Sequence, residues 1–92
     1  MPFSSHEYSL HLIFSPDGWL KAQPLVTSTD RVFFMQDAVY LLQANITSPS
    51  ELLYARATDV LARNIHPSEA IEILDDEQWV KLTEQANNVL SW

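Results

Sequence analysis

Four short runs in this chain are apolar on both faces, and no other feature restricts its fold as strongly. Tyr8–Phe14 reads Tyr-Ser-Leu-His-Leu-Ile-Phe, and Arg31–Gln36 contains Val-Phe-Phe-Met. Leu52–Ala57 is Leu-Leu-Tyr-Ala-Arg-Ala, and Ala70–Leu74 is Ala-Ile-Glu-Ile-Leu. A half-exposed antiparallel strand alternates cleanly between apolar and polar, whereas a strand covered on both sides does not. The pattern predicts a parallel α/β sheet.

Helical stretches separate these strands. Asp75 can cap the last helix, with Gln78 three positions later completing a capping box. Trp79, Leu82, Ala86 and Val89 or Leu90 then recur at helical spacing. Thr58 to Asn64 predicts a shorter helix, capped by Thr58 and stopped by Pro67. Asp37 is read as the cap of a helix through Val39, Tyr40, Leu41 and Leu42. Trp19–Gln23 supplies one or two turns before Pro24 breaks them. The order is β-α-β-α-β-α-β-α, with right-handed crossovers. Its 92 residues make one domain, expected to span residues 1–92.

Charge and composition remove whole classes of function. The net charge is −7, with twelve acids against five scattered basic residues, so strong direct binding to nucleic acid is not expected. Gly18 is the single glycine, which excludes the glycine-rich loops that cradle dinucleotides or nucleotide phosphates. The absence of cysteine excludes disulfides, zinc-thiolate sites and thiol chemistry on this chain. No run reaches the ~18 apolar residues of a membrane span. No secretion signal opens the sequence, so a cytoplasmic location is expected.

In open α/β sheets ligands gather at the carboxyl ends of the strands. Asp17, Asp37 and Asp59 stand there and can converge on a cation, although each also sits where a helix cap belongs, the preferred reading. His6 and His11 are five apart around a strand, on opposite faces, and His66 precedes Pro67. No spacing among them makes a ligand set, and no acid–base pair can be nominated. No catalytic residue, cofactor or metal is expected. Trp79 lies on an apolar stripe and reads as core. Trp92, at the end of the sequence, either folds back on the domain or docks into another subunit, tryptophan being a strong interface anchor.

Taken together, these residues resemble the TusB/DsrH family of sulfur-relay subunits. The likeness runs through Leu10-His11, Ser15-Pro16, Gln36-Asp37-Ala38-Val39, Tyr54-Ala55, Asp59 and Ala62-Arg63-Asn64. It closes with Trp79-Val80-Lys81-Leu82 and Ser91-Trp92. The resemblance implies a DsrE/F/H-like three-layer α/β sandwich with a mainly parallel central sheet of four or five strands. It also implies a heterohexamer with TusC-like and TusD-like paralogous subunits, in which the TusD-like chain carries the persulfide. Sulfur would pass from a TusA-like donor to a TusE-like acceptor and the thiouridylase of the tRNA wobble uridine. Related DsrEFH complexes serve sulfur oxidation.

Some DsrH members carry a cysteine in the first helical region. Its absence here points to a TusB-like, non-catalytic accessory subunit. Trp92, Trp19 and Asp37 are the candidate residues for the partner interface. The alternative is a stand-alone α/β protein that binds a ligand or cation at its strand ends.

Overall fold

The computed structural model describes residues 8–92; His6, set against His11 above, lies outside them. The elements in chain order are β1 (Ser9–Ile13), α1 (Pro16–Ala22), a 3₁₀ turn (Gln23–Leu25) and β2 (Arg31–Phe34). A 3₁₀ segment (Gln36–Gln43), β3 (Leu53–Arg56), α2 (Ala57–Ala62) and β4 (Ile71–Leu74) follow. The chain closes with α3 (Asp76–Glu84) and β5 (Asn88–Ser91). The five strands form one sheet in the order β4-β3-β2-β1-β5, and every neighbouring pair is parallel.

The connections β1–β2, β2–β3 and β3–β4 step across the sheet in one direction, and their helices share one face. There Trp19, Ala22, Ala38, Val39, Leu42 and Val60 pack on Ile13, Val32, Phe34, Leu53, Ala55 and Ile71. The connection from β4 to β5 runs back across the whole sheet, so a right-handed crossover places α3 on the opposite face. Leu82 and Trp79 of α3 cover Leu10, Leu12, Phe33, Tyr54 and Leu74 there. Two packed faces make the three-layer α/β sandwich, and they explain strands that are apolar on both sides.

Several local expectations are corrected. The last helix ends at Glu84, and Val89 and Leu90 belong to β5, not to a helical stripe. Strand β1 lies deep in the fold, with Leu10 and Ile13 fully buried, and its second edge would carry unpaired backbone groups. Strand β5 satisfies that edge, pairing Ser9 with Asn88 through to Leu12 with Ser91, and this demand outweighs helical spacing.

The caps differ as well. Ser15, not Asp17, caps α1, its hydroxyl accepting from the Gly18 amide at 3.1 Å with Pro16 at the first helical position. Asp37 caps nothing: Met35 holds that position without a side-chain bond, and the segment winds as 3₁₀. Helix α2 begins at Ala57, so Thr58 lies inside it. Asp75 and Gln78 form the expected capping box, with bonds of 2.8 and 2.9 Å.

Candidate functional site

Three buried polar side chains, His11, Asp30 and Ser50, gather beside β1 and β2. His11 points from β1 toward the helix face shared by Ile13 and is 2% exposed; Asp30, just before β2, is 8% exposed. His11 Nε2 lies 2.9 Å from Asp30 Oδ2. The carboxylate also accepts from the Thr27 amide at 3.0 Å and the Thr27 hydroxyl at 2.9 Å. The Asp30 carbonyl in turn accepts from the buried Ser50 hydroxyl, whose oxygen accepts from the Leu52 amide at 3.1 Å. The carboxylate is therefore fixed on several sides before it meets the ring.

Trp92 completes the chain. It follows β5 directly, its amide donates to the Leu12 carbonyl at 2.9 Å, and its carbonyl accepts from the Phe14 amide at 3.1 Å. Its indole nitrogen donates to His11 Nδ1 at 3.0 Å. Gly18 makes room for this arrangement, since a Cβ there would lie 2.6 Å from the Trp92 carbonyl oxygen.

An indole N–H can only donate, so Nδ1 is an acceptor, and Nε2 carries the proton and donates to Asp30. The ring is thereby held as one neutral tautomer. Burial alone would raise the Asp30 carboxyl. The Thr27 amide, the His11 ring and the Thr27 hydroxyl outweigh it and hold the group below the ordinary carboxylate range.

His11, Thr27, Asp30 and Trp92 line a cleft of about 490 Å³ that runs along β1 and β5. Leu25, Val89 and Leu90 border it, and they are 60%, 43% and 40% exposed. A polar floor thus lies beneath an uncovered apolar rim.

A second set of charges lies at the carboxyl ends of β2, β3 and β4. Arg63 joins Asp37 at 3.1 Å and Asp59 at 3.3 Å. Arg56 makes a forked pair with Asp76, at 2.9 and 3.2 Å. Asp59 also accepts from the Gln36 amide at 2.8 Å. That bond secures Gln36, whose φ of 49° lies in the left-handed region. Asp76, held by Arg56 and by the Trp79 indole, ionises below the usual carboxylate range. Arg63 occupies the ground between Asp37 and Asp59, and Asp17 stands in the first turn of α1. Among the described residues no three His, Asp or Glu side chains are placed to hold a metal ion.

The three interface candidates fall in different places. Trp19 is corrected: it is 4% exposed and meets Phe34 edge-on at 5.3 Å, so it belongs to its own domain's core. Asp37 is exposed and paired with Arg63. Trp92 folds back on its own domain and is half-buried. Sequence reasoning missed the His11–Asp30 pair, whose members lie on separate elements 19 residues apart; no fixed spacing announces such a pair.

Comparison with known families places the chain. The family model described as DsrH like protein matches residues 21–89, from α1 into β5. Asp30 lies inside that stretch, while His11 and Trp92 lie outside it. No curated protein matches the chain. The family match covers well over half of the sequence, and the chain belongs to the DsrH-like family of sulfur-relay subunits.

Proposed function

We propose that this protein is the cysteine-free accessory subunit of a TusBCD-like complex, supporting 2-thiolation of the tRNA wobble uridine. The observation that carries the reading is a DsrH-like family match over residues 21–89 in a chain with no cysteine. A relay passes sulfur between thiols, so a member without one acts beside a carrier. TusC-like and TusD-like paralogues are its proposed partners, the TusD-like chain holding the persulfide.

Co-expression with two such paralogues tests the reading. A complex containing all three chains is expected, one of the others bearing a reactive cysteine. A stable monomer that ignores both would sink it. Deletion of the subunit is expected to lower wobble-uridine thiolation. The DsrH description of the matched family favours one second reading, a DsrEFH-type subunit in sulfur oxidation. Unchanged thiolation on deletion, with the complex intact, would select that one.

A further inference from the structure

We propose that the cleft over His11 receives a cysteine-bearing loop of a partner protein, and that His11, oriented by Asp30, accepts the thiol proton at Nδ1. The inference rests on the sulfur-relay reading and gives the subunit a part beyond architecture.

Three observations converge on it. The first is the ring's bonding. Asp30 accepts the hydrogen bond from Nε2–H, and Nδ1 is the acceptor for the Trp92 indole. A histidine fixed by a carboxylate on one nitrogen and accepting on the other is the arrangement a general base requires. The second is the cleft, whose volume of about 490 Å³ falls within the ~300–1,000 Å³ of sites that enclose a ligand. Its exposed Leu25, Val89 and Leu90 suit a protein segment better than a small polar molecule. The third is composition: the chain has no cysteine, so a thiol reaching His11 comes from another protein.

Trp92 holds the acceptor position until the loop arrives. Its ring is half-buried against the helix-face core, and its displacement by the arriving loop frees Nδ1. The thiol S–H bond then breaks, its electron pair stays on sulfur, and the proton moves to Nδ1. The resulting imidazolium keeps its Nε2–H on Asp30, so the two charges neutralise each other. The thiolate attacks the outer sulfur of a donor persulfide, and the thiolate released from the donor takes the proton back from His11. Among the described residues lining the cleft, Asp30 is the only other ionisable side chain.

The test uses the complex assembled with its thiol-bearing partners. Iodoacetamide alkylation of each partner cysteine is followed against pH for the wild type, His11→Gln and Asp30→Asn. One cysteine is expected to react about tenfold more slowly near neutral pH in both variants, its titration displaced upward. Should His11→Gln fail to fold, Asp30→Asn, which keeps the side-chain volume, gives the same readout. Equal alkylation profiles in intact complexes would overturn the proposal and leave the relay reading standing. Failure of the wild type to form a complex with any thiol-bearing partner would overturn both.

Discussion

The Trp92 indole nitrogen donates to His11 Nδ1 at 3.0 Å, joining residues 81 positions apart. Because indole cannot accept, the bond fixes which ring nitrogen is bare, and Asp30 holds the proton on the other side. Nitrogen-15 correlation spectra of His11 should therefore show the neutral Nε2–H tautomer at neutral pH. A resonance pattern with the proton on Nδ1 would contradict the geometry.

Replacement of Trp92 separates bond from packing. Trp92→Phe keeps most of the ring and removes the donor, leaving a buried acceptor unpaired, for a loss of about 1–3 kcal/mol. Trp92→Ala also removes the packing against the helix-face core and should lose more, roughly 3–5 kcal/mol. Urea unfolding of the isolated domain measures both. An alanine variant as stable as the parent would mean that the side chain does not rest on its own domain.

Asp30 sets the acid limb of stability. Its carboxyl ionises below the ordinary range in the folded state, so near and below an unfolded value of about 3.9 the unfolded chain binds the proton more readily. The contribution is fully present above that value and disappears as pH falls through the lower, folded one. Asp30→Asn should lower stability at neutral pH and flatten its decline in that acid window. Denaturant titrations at several pH values would show this, and an unchanged slope would argue against it.

Gly18 is required by its neighbour, not by its backbone angle. Alanine would favour α1 by about 1 kcal/mol on helix propensity alone. Its Cβ would lie 2.6 Å from the Trp92 carbonyl oxygen, so backbone must shift, at about 1–3 kcal/mol. Gly18→Ala should be destabilising on balance and should weaken protection of the Trp92 amide in hydrogen exchange. A more stable variant with unchanged exchange would refute the close approach.

Asp59 holds two arginines and the Gln36 amide. Asp59→Ala takes one of two carboxylate partners from each arginine, which keep Asp76 and Asp37. It leaves the Gln36 amide without its acceptor and its positive φ without support. A loss of about 2–4 kcal/mol follows, readable by thermal or urea unfolding. Gln36→Gly should recover part of it, since glycine adopts that conformation freely. No recovery would place the strain elsewhere.

Features decided within a few residues were legible in the sequence. The Asp75–Gln78 box closes over three positions, and the two-sided apolar runs of Val32–Phe34 and Leu53–Ala55 announced a covered sheet. Ser15 was also within reach, because Pro16 marks a first helical position and so points to the residue before it as the cap. Val89 and Leu90 were misread since they fall in step with Trp79 and Leu82, and only the open edge of β1, at the far end of the chain, makes them a strand. His11 and Asp30 were separately visible as ordinary residues; their meeting depends on how α1 and the 3₁₀ turn carry the chain from β1 to β2.

Strand β5 has one neighbour, β1, at the opposite end of the described chain, and all four of its residues are exposed. Pairing so remote in sequence closes a large loop and comes late in folding. The four side chains of β5 bury little apolar surface, so the strand is held by its ladder to β1 and by the Trp92 ring that follows it, packed against the helix-face core. Detachment of β5 would therefore also have to unseat Trp92, whose indole covers the His11 ring. The cover over that ring is thus one residue deep at a sheet edge, and a partner loop that displaces Trp92 need not open the rest of the sheet.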